Sequence, residues 1–104
     1  FNRPSSVVRA AHECNAGRHL SSLLASLGIS ADEPGCKCKS RAAEMDRQGC
    51  DWCEENIGTI VGWLREEADR RGLPFMDAAA RLLIRRAIRL ARLEAKAATD
   101  KANG

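Results

Sequence analysis

The sequence predicts an all-α fold, a small helical domain of about four helices, and three observations carry that prediction. Strand-favouring residues are scarce: in 104 residues there are three Val, two Thr and no Tyr, and no segment alternates apolar and polar residues for long. Apolar residues instead recur at steps of three and four in several separate stretches. Glycines and prolines fall between those stretches, where helices should stop.

Taken in order, Leu20, Leu23, Leu24 and Leu27 form a short apolar stripe that halts at Gly28, a good left-handed terminator. The loop ISADEPG follows, and Pro34-Gly35 marks a turn immediately before Cys36. A second short helix is expected from about Lys39 to Gln48, with Ala42 and Met45 inward and Gly49 closing it. Asp51 and Glu54 suggest a capping-box start to a third helix, whose Cys53, Ile57, Ile60, Val61, Leu64 and Ala68 share one face. Arg70-Arg71 complements the dipole of its last turn, and Gly72 ends it. Pro74 disfavours helix at Leu73. Asp77 then caps a long fourth helix reaching about Ala97, with Ala80, Leu83, Ile84, Ala87, Ile88 and Ala91 as its buried stripe. Residues 1–16 read as a partly extended N-terminal segment, 17–97 as a single helical domain with its cysteine cluster at 36–53, and 98–104 as a frayed tail.

Size and composition bound the rest. A chain of this length fits one domain with one modest core, and 44% hydrophobic residues is ordinary for a folded protein. Only 4% are aromatic, so the core must be built from Leu, Ile and Ala, and a cross-link would help it. No apolar run approaches the roughly 18 residues a membrane span needs, so no membrane is expected as a partner. The start, FNRPSSVVRAA, lacks the long apolar region of an intact signal peptide. Five cysteines is an odd number, whereas a secreted disulfide scaffold normally pairs all its thiols; a reducing, cytoplasmic setting is therefore expected.

Four of those cysteines come as two close pairs, Cys36 with Cys38 and Cys50 with Cys53. A tetrahedral zinc ion suits such pairs, because two nearby loops can each deliver two thiolates. Eleven residues separate Cys38 from Cys50, enough for a short helix that returns the chain. Lys37 and Lys39 flank the first pair, and Cys53 sits in the first turn of the third helix; both settings favour thiolates. The leading expectation is a structural zinc on Cys36, Cys38, Cys50 and Cys53, with an iron–sulfur cluster as the alternative cofactor. Disulfides and free thiols are the other readings of the same residues. His12, Cys14 and His19 form a looser group that could supply a replacement ligand. No catalytic triad, phosphate-binding glycine loop or redox βαβ context accompanies them, so an enzyme is not expected.

Charge is the second functional signal. Net charge is +3 overall, yet residues 39–72 sum to −2 (six basic, eight acidic) and residues 73–104 to +4 (seven basic, three acidic). Arg81, Arg85, Arg89, Arg92 and Lys96 follow one another at helical steps, with Arg86 beside them. Such a stripe can track a phosphate backbone or an acidic protein, or can simply be a solvated helix face. The expected function is a non-enzymatic module binding nucleic acid or an acidic partner through this helix. The alternative is a structural or assembly protein that self-associates, or joins a partner, through helical faces. Trp52 and Trp63, eleven residues apart, can lie along one edge of the third helix and are read chiefly as packing residues.

The segments CKC, AAEMD, GCDWCE and IVGWLREEADRRGLPF, within residues 20–92, resemble a group of small uncharacterised proteins from bacteriophage and bacterial genomes. The resemblance implies a phage-associated accessory protein and carries no activity or site residues with it.

Overall fold

A computed structural model describes residues 14–30 and 37–103, with side chains as far as residue 98. Those residues form five helices and no strand: α1 (Ala16–Ser26), α2 (Cys38–Gln48), α3 (Cys50–Glu55), α4 (Ile57–Arg71) and α5 (Asp77–Asn103). The expected N-terminal extension, up to residue 13, and the Pro34-Gly35 turn lie outside them.

The helix ends obey the glycine signals. Gly28 and Gly72 adopt φ of 86° and 70°, and each closes its helix in the left-handed region where a side chain is disfavoured. The third expected helix is two helices rather than one. Asn56, with φ −116° and ψ 30°, ends α3 and caps α4. Its side-chain amide donates to the Trp52 carbonyl at 2.9 Å, a local bond of the kind that lets Asn compete with helix continuation. Asp51 and Glu54 make no capping box, because both carboxylates turn to Arg92. At the other end α5 outruns its expected limit and continues to Asn103, consistent with its alanine-rich final turns.

The long helix α5 organises the packing, with α1, α3 and α4 all laid against it and α2 reaching it through α1 and α3. Its inward stripe is the expected one: Ile84, Ala87 and Ala91 are fully buried, and Ala80 and Ile88 nearly so. Leu20, Met45, Cys53, Ile60 and Val61 complete the core from the other helices. Small residues let the helices approach closely. Gly17 of α1 lies so near the α2 backbone that a Cβ built there would fall 2.7 Å from the Ala42 carbonyl carbon. That approach brings the Asp46 carboxylate within 3.2 Å of the Arg18 backbone N–H, which donates to it. The amide is one of the donors α1 leaves unpaired at its own start, so α2 caps α1.

Polar joints fasten the elements at their edges. Arg18 and His19 both reach Glu94, tying α1 to α5. Glu67, 8% exposed, binds Arg70 and Arg71, and Arg71 also donates to the Ser30 carbonyl at 2.7 Å, fixing the chain that leaves α1. Trp52 and Trp63 stack on each other with centroids 6.3 Å apart, and Arg41 lies over Trp63 at 5.5 Å. The tryptophans thus pack across the α3–α4 break.

Candidate functional site

The outward face of α5 is fixed by its inward one. Turning about 100° per residue, a helix that buries positions 84, 87, 88 and 91 must present 82, 85, 86, 89, 93 and 96 to solvent, within an arc of ~100°. All six of those side chains, Leu82, Arg85, Arg86, Arg89, Leu93 and Lys96, are exposed.

The basic stripe expected from the sequence divides into two kinds of cation. Arg81 donates to Asp77 one turn earlier at 2.8 Å, and the same guanidinium holds the Asp77 carboxyl below its ordinary range. Arg92 donates to Asp51 and to Glu54, each at 2.9 Å. Its hydrogen bond to Glu54, with that to Asp51, raises the Arg92 guanidinium further above its already high value. Those two arginines are spent inside the domain. Arg85, Arg86, Arg89 and Lys96 have no carboxylate partner among the described residues. Arg85, Arg89 and Lys96 rim a shallow groove of about 390 Å³, with Ile88 and Leu93 supplying its apolar wall and the paired Glu54 and Arg92 closing one side.

Two members of this face were not singled out from the sequence. Leu82 is 66% exposed and Leu93 57%, and both sit among the unpaired cations. A signal for them existed. Each falls on the arginine side of the helix, away from the alanine and isoleucine stripe, where a large apolar residue gains nothing from the domain's own core.

Among the described residues, the cysteines of the expected zinc set do not come together as a ligand group. Cys50 is disulfide-bonded to Cys14, across a Cα–Cα distance of 5.5 Å, and the bond joins the residues before α1 to the start of α3. Cys38 is also disulfide-bonded. Cys36 and His12 lie outside the described residues. Cys53 is a free thiol with no exposed surface, its sulfur 3.6 Å from the Met45 carbonyl. Burial, followed by the nearby Asp46 charge, pushes it up to about 11 against a weaker opposing pull from Arg92. His19 is occupied with Glu94.

Geometry gives the reason the described donors do not converge. Cys38 begins α2, and Cys53 sits against Met45 seven residues along, a rise of ~10 Å. Zinc–sulfur bonds of ~2.3 Å need all four sulfurs within about 4 Å of one another. Among the described residues no group of three or more His, Cys, Asp or Glu side chains is placed to hold a metal. The Cys14–Cys50 bond is also one that oxidising conditions preserve, so the cytoplasmic expectation draws no support from it. Among the described residues, no helix is long and apolar enough to cross a membrane.

Comparison with family models, curated proteins and solved structures finds no match to this chain. Its functional reading therefore rests on the side chains themselves.

Proposed function

We propose that this protein is a non-enzymatic binding module that takes an anionic macromolecule on the outer face of α5. One observation carries the reading: Arg85, Arg86, Arg89 and Lys96 are exposed on a single helix face and have no acidic partner among the described residues. Elsewhere in the domain arginines are commonly matched, as Arg41 is to Glu66, Arg65 to Asp77 and Arg47 to Glu44. Leaving four cations unmatched along one helix concentrates positive potential there, and such a field steers and holds negative ligands. A catalytic role finds less support, because the free thiol at Cys53 is both inaccessible and held protonated by its surroundings.

The test is binding of labelled polyanions, a short DNA duplex and polyglutamate, followed by fluorescence anisotropy. Affinity for at least one should fall steeply between about 50 and 200 mM salt. The Arg85→Gln/Arg89→Gln variant should bind more weakly with a shallower salt slope, while its melting temperature stays that of the parent. Absence of any polyanion binding at low salt refutes the proposal.

A second reading, assembly through helical faces, is favoured by one different observation. Leu27, Leu73 and Met76 are 66%, 42% and 70% exposed. They border an apolar groove of about 340 Å³ between the ends of α1 and α4 and the start of α5. Concentration-dependent sedimentation that Met76→Ser abolishes would establish it.

A further inference from the structure

We infer that the occupant of the α5 face is an acidic amphipathic helix from a partner protein, anchored by Leu82 and Leu93. The inference rests on the anion-binding reading above and names the kind of partner that face fits.

The argument begins with what a phosphate backbone would need. It would use the cations as an uninterrupted row and gain little from leucines. The row is interrupted: Arg81 is paired with Asp77, which it shares with Arg65, and Arg92 with Asp51 and Glu54. What remains is Arg85, Arg86, Arg89 and Lys96, standing around two exposed leucines that lie eleven residues apart, or ~16 Å along the axis. Apolar anchors bordered by charge are the anatomy of a protein interface, with a dry centre and a polar rim. The centre is apolar as well, since Leu93 and Ile88 wall the shallow groove against which a partner's apolar side chain can rest.

Shape and charge then specify the occupant. The face is a narrow strip running from Leu82 to Lys96, ~21 Å long, which matches a partner helix of about four turns laid alongside. Two or three apolar residues at helical spacing would cover Leu82 and Leu93. Asp or Glu on either side would meet Arg85, Arg86, Arg89 and Lys96, charges that α5 leaves unmatched among the described residues. Complementarity of this kind selects acidic partners and excludes basic ones.

The experiment selects ligands for the whole protein from a displayed library of helical peptides randomised at surface positions. Recovered peptides should pair acidic residues with large apolar ones at three- and four-residue spacing. Their synthetic versions should bind at least about tenfold more weakly to Leu82→Ser/Leu93→Ser, as expected when central anchors are removed. They should weaken on Arg85→Gln/Arg89→Gln as well. All four positions are on the surface, so circular dichroism and melting of each variant should match the parent and separate lost binding from lost fold. Recovered peptides that ignore the leucine substitutions overturn the inference. So does a protein that yields no acidic peptides but binds duplex DNA equally well with and without its leucines, an outcome that leaves the anion-binding reading standing. Failure to bind peptide, duplex and polyglutamate alike removes both. Self-association lost in the leucine variant would assign the face to a second copy of this chain and also overturn the inference.

Discussion

Replacing Gly17 with alanine sets two familiar effects against each other at one site. In an ordinary helix interior the change adds about 1 kcal/mol of stability, because alanine restricts the unfolded chain and glycine does not. At Gly17 the new methyl would stand 2.7 Å and 2.8 Å from the Ala42 carbonyl carbon and Cα, both backbone atoms that cannot rotate away. Carbon atoms prefer about 3.5–4.0 Å, so α1 and α2 must part by roughly 1 Å. Overpacking of that order costs about 1–3 kcal/mol. The separation also stretches the Arg18 N–H to Asp46 bond, already 3.2 Å, and a lost helix cap costs about 1 kcal/mol. Balanced against the propensity gain, the variant should lose about 2 kcal/mol, which lowers the melting temperature by ~10 °C in a domain of this size. Gly62→Ala is the matched control. Gly62 lies inside α4 with nothing within 4 Å of an added Cβ, so its variant should melt higher by roughly 4–8 °C. Thermal denaturation followed by circular dichroism reads both. If Gly17→Ala melts at or above the parent temperature, the close approach of α1 to α2 is wrong.

Further outcomes follow from the polar and sulfur groups. Glu67 is lowered from 4.5 to about 2, chiefly by its hydrogen bond from Arg70, with burial opposing and Arg71 assisting. A carboxylate depressed in the folded state stabilises fully above its unfolded value and loses that contribution as pH falls through the folded one. The shift has a ceiling of about 3 kcal/mol, reduced to about 1–2 by solvent screening at Arg70. Glu67→Gln should therefore be less stable than the parent at pH 7, and the two should converge between pH 4.5 and about 2. Breaking Cys14–Cys50, whose members are 36 residues apart, should cost about 3–4 kcal/mol through the freedom returned to the unfolded chain. A Cys14→Ser/Cys50→Ser variant that melts with the parent would contradict the bond. Cys53 should resist iodoacetamide in the folded protein and react at once in denaturant, and the oxidised protein should hold no stoichiometric zinc. One firmly bound zinc per chain would restore the four-cysteine site.

The buried stripe of α5 was legible because alanine and isoleucine repeat there at helical steps, and burial is what such repetition means. Gly28 and Gly72 were equally readable, since few other residues tolerate their backbone angles. The α3–α4 break was not. Asn56 sits inside an unbroken apolar periodicity, and only its amide reaching back to Trp52 shows that the helix stops. The basic stripe was visible as a row of residues, but its division was hidden. Arg92 meets partners 38 and 41 residues away, and no local spacing encodes such a contact. The pairing of Cys50 was hidden for a similar reason, since its disulfide partner is Cys14, 36 residues earlier, and local spacing does not encode that contact.

The joint between Arg18 and Glu94 spans 76 residues and belongs to the contact of α1 with α5. A ribosome adding about 5–20 residues per second needs roughly 4–15 s to make that stretch. During this interval α1 can find α2 but not the helix along which it finally lies. Closing so long a loop also costs entropy before any contact repays it, which places assembly of the core late and makes it slow relative to helix formation. The nascent chain therefore carries an apolar α1 whose cover arrives last, and a pause in translation before Glu94 would expose that surface to whatever else is within reach.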